Sequence, residues 1–299
     1  MSDFSGTGVA LVTPFDQDGA IDFPALRRLV RHVIDGGLEY LVALGTTGET
    51  ATLSKAEQLQ VLDTIFDEND GTLPVVIGMG SNNTASLIEF AKEIEDKYKP
   101  AAFLSVTPYY NKPNQEGLYR HYAAFAKAIK SDIILYNVPG RTAINMLPET
   151  TLRLAADFKN IVAIKEASGN MDQCMALVQG VDNNLSIREF QVLSGDDVLG
   201  LAQMAIGFEG VISVAANAIP GPFSEMIRLA GAGKMTEARE LHYRWMDVMN
   251  LHFAEGNPAG VKYSLELLGV CGSTVRLPLA EASEGLRAKL KAAVQKADA

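Results

Sequence analysis

Cysteine is scarce in this chain. Cys174 and Cys271 are the only two in 299 residues. They form neither a C-x-x-C motif nor a disulfide framework, so the expectation is two free thiols in a reducing compartment. Positive charge is also short. With 26 Lys+Arg against 36 Asp+Glu, the formal net charge is -10. A polyanion is repelled by such a surface, so no nucleic-acid partner is expected. No apolar run approaches the roughly 18 residues of a membrane span. The start, MSDFSGTGVALVTPF, carries Asp3 where a signal peptide would carry basic residues. The expected location is therefore the cytoplasm, with no membrane partner. Nor is there a metal or nucleotide motif. His32, His121, His242 and His252 are scattered without ligand spacing and read as surface or helix-packing residues. GMGSNN (78–83) lacks the third glycine of a dinucleotide fingerprint, and AGAGKMT lacks the first glycine of a P-loop. No cofactor and no metal are expected.

What the chain does have is apolar material, 47% of its residues, enough for a sizeable core. Eight short Val/Ile-rich runs recur: 8–13, 40–45, 74–80, 102–107, 133–138, 161–167, 191–195 and 210–215. They are nearly continuous rather than alternating, as in parallel strands buried on both faces. Helical periodicity fills the gaps; Leu26, Leu29, Val30 and Val33 share a face. Ser54 and Glu57 make a capping box, and Thr84, Asn114, Pro148 and Asp197 read as further helix starts. Strand and helix repeated eight times predict an α/β fold, a (β/α)8 TIM barrel, with a doubly wound open sheet as the alternative. The boundaries expected are a catalytic barrel over 1–232 and a C-terminal helical region over 233–299.

Barrel enzymes carry their chemistry at the C-terminal strand ends. Polar groups gather there: Thr46, Thr47 and Glu49 in GTTGET, Tyr109 and Tyr110 in TPYYNKP, Tyr136 and Arg141 in YNVPGRT, Lys165 and Glu166 in IKEAS, and SGDD at 194–197. Lys165 is the sharpest of these. An ammonium ending an apolar run must lose water, which depresses its pKa, and a neutral amine attacks ketones to give a Schiff base. The competing reading is a structural lysine paired with Glu166. The tyrosines suit a proton relay and Arg141 suits bidentate carboxylate capture, although each alone is also an ordinary loop residue.

Taken in order, GTTGE, TPYYNKP, YNVPGRT, IKEAS, SGDD and GVISV resemble the 4-hydroxy-tetrahydrodipicolinate (dihydrodipicolinate) synthases. These belong to the pyruvate-dependent class I aldolases, with N-acetylneuraminate lyase. The resemblance runs from GVALVTPF to NPAGVK at 257–262. It implies a Schiff base between Lys165 and pyruvate, with Tyr136 as proton donor and acceptor. Thr46 and Tyr110 would complete a hydroxyl relay, Tyr110 coming from a neighbouring subunit. Thr47, Gly195 and the Ile212 backbone would bind substrate, and Arg141 would receive the carboxylate of L-aspartate 4-semialdehyde. It further implies lysine biosynthesis through diaminopimelate and a homotetramer, a dimer of dimers. A lysine-effector site would match at Thr50, Ala51, Asn82 and Tyr109. It is degenerate, because Lys55 and Gln58 replace the histidines of sensitive enzymes and Ser86 replaces a glutamate, so weak or absent feedback is expected. The alternatives are another pyruvate aldolase such as N-acetylneuraminate lyase, or a non-catalytic keto-acid-binding barrel.

Overall fold

The computed structural model describes residues 3–298. Strand β1 (Gly6–Ala10) is followed by α1 (Phe23–Asp35), β2 (Tyr40–Ala43), α2 (Lys55–Asn69), β3 (Val75–Met79), α3 (Thr84–Tyr98), β4 (Ala102–Val106) and α4 (Gln115–Ala128). Then come β5 (Asp132–Asn137), the short α5 (Pro139–Thr142), α6 (Pro148–Asp157), β6 (Ile161–Glu166), α7 (Met171–Asp182), β7 (Gln191–Ser194), α8 (Gly200–Ala205) and β8 (Gly210–Ser213). The chain continues through α9 (Pro220–Gly231), α10 (Met235–Leu251), α11 (Ala259–Leu267) and α12 (Glu284–Asp298). The eight strands close into a barrel in sequence order, and the pairs β1–β2 and β3–β4 through β7–β8 are parallel. This is the (β/α)8 fold expected from the run pattern. Each predicted run overshoots its strand by one to three residues at the C-terminal end. These residues turn off the strands to build the rim, although Leu11, Thr107, Ala167 and Gly195 still donate backbone hydrogen bonds to the neighbouring strand.

Two compact units make up the chain: residues up to 5 with 75–211, and 6–74 with 212 onward. In the first, β3, β4, β6 and β7 are buried at every position, apart from a half-buried Val106. Each Val, Leu or Ile so covered contributes about 1.5–3 kcal/mol. In the second, α1 buries Leu26, Leu29, Val30 and Val33, the predicted face, and Asp22 accepts from the Ala25 N–H at its start. The capping box of α2 is complete, with Ser54 Oγ accepting from Glu57 N and Glu57 Oε2 accepting from Ser54 N. After β8 every regular element described is helical, and Leu286 and Leu290 of α12 pack against Leu251 and Tyr263.

Of the predicted helix starts, Asn114 and Pro148 stand as read, and Thr84 is the first residue after the Asn83 cap. Asp197 is a correction, since α8 begins only at Gly200. Asp196 accepts from the N–H groups of Val198 and Leu199, so its side chain makes a turn that delays the helix. Of the four histidines, His121, His242 and His252 are buried and His32 is half-buried. Burial drives His121 down to about 4 and His252 down to about 3, which leaves both neutral. Both cysteines are free and buried. No described helix is long and apolar enough to cross a membrane.

Candidate active site

In the unit containing 75–211, β6 brings Lys165 to the C-terminal end of its strand. Its side chain is buried, 5% exposed. Neighbouring residues of a strand point to opposite faces. Glu166 therefore cannot face Lys165, and it finds other partners. Asn137 Nδ2 and Gln173 Nε2 donate to its Oε2 at 3.0 and 2.9 Å, and Ser168 N donates to Oε1 at 2.6 Å. This removes the structural lysine–glutamate pair that the sequence left open. Among the described residues, no group hydrogen-bonds to the Lys165 amine. Its Nζ instead lies 4.5 Å from the centroid of the Tyr136 ring. Tyr136 is its register partner on β5.

Burial lowers the Lys165 pKa to about 8, the Arg141 cation pushes the same way, and Asp197 opposes them. At pH 7 roughly one amine in ten is then neutral, against fewer than one in a thousand for a free lysine. Gly195 follows β7 directly. A Cβ there would lie 2.9 Å from Lys165 Cε and 2.7 Å from Ala167 Cβ, so only glycine leaves room beside the amine. Arg141 sits in α5, exposed, and among the described residues no carboxylate pairs with it. Its five donors are unspent. Tyr110 is 87% exposed and Tyr109 41%. Tyr110 holds a left-handed φ of 74°, a costly conformation for a bulky residue. Asn82 offers its backbone oxygen to Asn111 Nδ2 at 3.0 Å.

In the other unit, β2 runs into a 3-10 turn over Thr46–Gly48. Leu44 (φ 54°) and Glu49 (φ 53°) flank it in the left-handed region, a strain of about 1 kcal/mol or more each. Hydrogen bonds hold the turn: Thr13 Oγ1 donates to Gly48 O at 2.7 Å and Thr50 Oγ1 to Gly45 O at 3.0 Å. Glu49 is buried and paired with Lys262 Nζ at 2.5 Å, and Arg276 N donates to its other oxygen at 2.9 Å. Lys262 also donates to Thr274 O and lies over the Phe15 ring. Removing one partner of such a pair strands a buried charge and costs about 3–5 kcal/mol. Thr46 is exposed, while Thr47 is buried and accepts a 2.9 Å hydrogen bond from Asn257 Nδ2. Ile212 is buried in β8. Ala51 follows Thr50 in a second 3-10 turn.

Chemically, the first unit presents a desolvated amine, a phenol ring and an unpaired guanidinium, and the second a rigid pair of threonines. An amine depressed toward neutrality attacks a carbonyl, and a free guanidinium receives a carboxylate. Asn257 and Lys262 were given no role from sequence, and Glu49 and Asp197 were noted at the strand ends without the partners the structure gives them. The lysine within AGVKYSLEL is the signal that could have pointed to a buried ion pair.

Residues 3–297 match the dihydrodipicolinate synthetase family. A 4-hydroxy-tetrahydrodipicolinate synthase from Flavobacterium psychrophilum is 52% identical over 290 residues, 97% of each chain. Among solved structures, the chloride-inhibited dihydrodipicolinate synthase of Acinetobacter baumannii complexed with pyruvate is 40% identical with a TM-score of 0.94, covering 99% of both chains. The lysine-bound enzyme of Cyanidioschyzon merolae is 37% identical with a TM-score of 0.92, covering 99% of this chain and 98% of that one.

Proposed function

The chain belongs to the dihydrodipicolinate synthetase family, and from that premise we propose that Lys165 is the amine through which it works. The reaction condenses pyruvate with L-aspartate 4-semialdehyde to give 4-hydroxy-tetrahydrodipicolinate, on the diaminopimelate route to lysine. It is a lyase of the class I aldolase type. The observation that carries the role of Lys165 is its burial without a hydrogen-bonded carboxylate, its pKa lowered to about 8.

Neutral Nζ attacks the keto carbon of pyruvate, and loss of water leaves a protonated imine. The imine withdraws electrons from the methyl group, which gives up a proton to form an enamine. The enamine carbon attacks the aldehyde, and a proton passes to the new alkoxide. The amine of the aldol product then closes on the imine carbon and expels Lys165. Each step moves a proton. Tyr136 is the group we assign to that traffic, with Thr46 and a neighbouring subunit's Tyr110 as the rest of a relay. The exposure of Tyr110 supports this role. Thr47, Gly195 and the Ile212 backbone are assigned to pyruvate, and Arg141 to the carboxylate of the semialdehyde. The unpaired Arg141 favours this second substrate over a sugar-type aldehyde. A homotetramer, a cytoplasmic location, a barrel over 1–232 and a helical region over 233–299 complete the proposal.

The test is borohydride reduction with pyruvate, followed by peptide mass mapping. A pyruvate adduct on Lys165 is expected; an adduct elsewhere, or none, overturns the assignment.

A further inference from the structure

Asn257 has no part in the steps above, yet it holds a group that does. It lies between α10 and α11, 6% exposed, and its Nδ2 donates to Thr47 Oγ1 at 2.9 Å. Thr47 is 2% exposed. Among the described residues, no acceptor takes the proton of the Thr47 hydroxyl. A hydroxyl has one proton to give and lone pairs to receive. With a lone pair occupied by Asn257, whose own Oδ1 is buried without a partner, the proton in this amide orientation is left for something the described residues do not supply. Buried donors without acceptors are costly and uncommon, so this one implies a ligand acceptor.

We infer that Asn257 is a positioning residue that makes Thr47 a hydrogen-bond donor to the carboxylate of the keto acid. This rests on the assignment of Thr47 to pyruvate. The same segment grips the threonine turn a second time. Lys262, five residues on, is bonded to Glu49, two residues past Thr47. Two buried contacts therefore join 257–262 to 47–49, one setting the direction of the hydroxyl and the other holding the strained exit of the turn. The helical C-terminal region thereby reaches into substrate binding without supplying a reacting atom.

The experiment uses the full-length enzyme and compares wild type, N257A, N257D, T47V and N257A/T47V. It reads pyruvate KM, kcat and borohydride trapping on Lys165. A hydrogen bond to a charged group is worth about tenfold in affinity or more. N257A is expected to raise pyruvate KM about that much, with kcat changed far less. N257D is expected to raise it further, because a carboxylate draws the Thr47 proton to itself and repels the substrate. N257A is expected to add nothing to T47V. An N257A enzyme with wild-type KM overturns the inference, as do N257A and T47V effects that multiply in the double variant. Should N257A fail to fold, N257S, which keeps a donor, takes its place and must show a lower KM than N257D; equal values overturn the inference. Wild-type enzyme that traps no pyruvate overturns the Schiff-base assignment and this inference together. Wild-type trapping with an unchanged N257A overturns this inference alone.

Discussion

Tyr136 and Lys165 are register partners on β5 and β6, and the lysine amine lies 4.5 Å from the centre of the tyrosine ring. The next pair along, Asn137 and Glu166, faces the opposite side and is joined by a 3.0 Å hydrogen bond. One step of strand alternation thus separates an unpaired amine from a fully engaged carboxylate.

Y136F keeps the ring beside the amine and removes only the phenolic hydroxyl. Turnover should fall by about two to four orders of magnitude, the usual contribution of a general acid–base group. Borohydride should still trap pyruvate on Lys165, more slowly. A Y136F enzyme with wild-type kcat would remove Tyr136 from the relay.

The proposed reactive form of Lys165 is the neutral amine, so kcat/KM for pyruvate should rise with pH, pass its midpoint near 8 and level off above it. The unfolded chain binds the lysine proton up to the ordinary 10.5 while the folded chain releases it near 8. Below about 8 the full cost of that mismatch is present, on the order of 3 kcal/mol, and it fades as pH rises toward 10.5. K165M should therefore be inactive yet more stable than wild type at pH 7, with an advantage that shrinks above pH 8. Thermal melts across that range measure it.

R141A should cripple use of L-aspartate 4-semialdehyde while sparing imine formation with pyruvate. Arg141 also helps to depress the Lys165 pKa, so the pH midpoint for trapping should move upward in the variant. Trapping rates against pH, beside KM for the aldehyde, check both outcomes. Loss of trapping at every pH would contradict the assignment.

Tyr110 is exposed, so Y110F should leave the melting temperature within experimental scatter. Its turnover should fall if the phenol serves a neighbouring subunit. Unchanged kcat would count against the relay.

Lysine at sub-millimolar concentration should inhibit weakly or not at all. By the resemblance, Lys55 adds a positive charge in place of a histidine, and Ser86 offers no negative one in place of a glutamate. Gln58 is already tied to Leu53 O at 3.1 Å. A steady-state assay with added lysine decides it, and strong inhibition would show that other residues bind the effector.

Much of this was legible in one dimension. The eight apolar runs, the capping box at Ser54 and the buried face of α1 are local patterns, set by periodicity and by side chains a few residues apart. The polar residues that end each strand were legible for the same reason. The helix start at Asp197 was misread because Asp196, one residue earlier, competes for the same N–H groups. What the linear order could not determine was partnership. Asn257 meets Thr47 across 210 residues, and Lys262 meets Glu49 across 213. Whether Lys165 would pair with Glu166 or stand alone depended on which face of β6 each side chain took and on what stood behind it. Residue types and their spacing chose the barrel and its candidate amine; burial in the closed sheet lowered the pKa of that amine, because only packing removes the water that keeps a lysine charged.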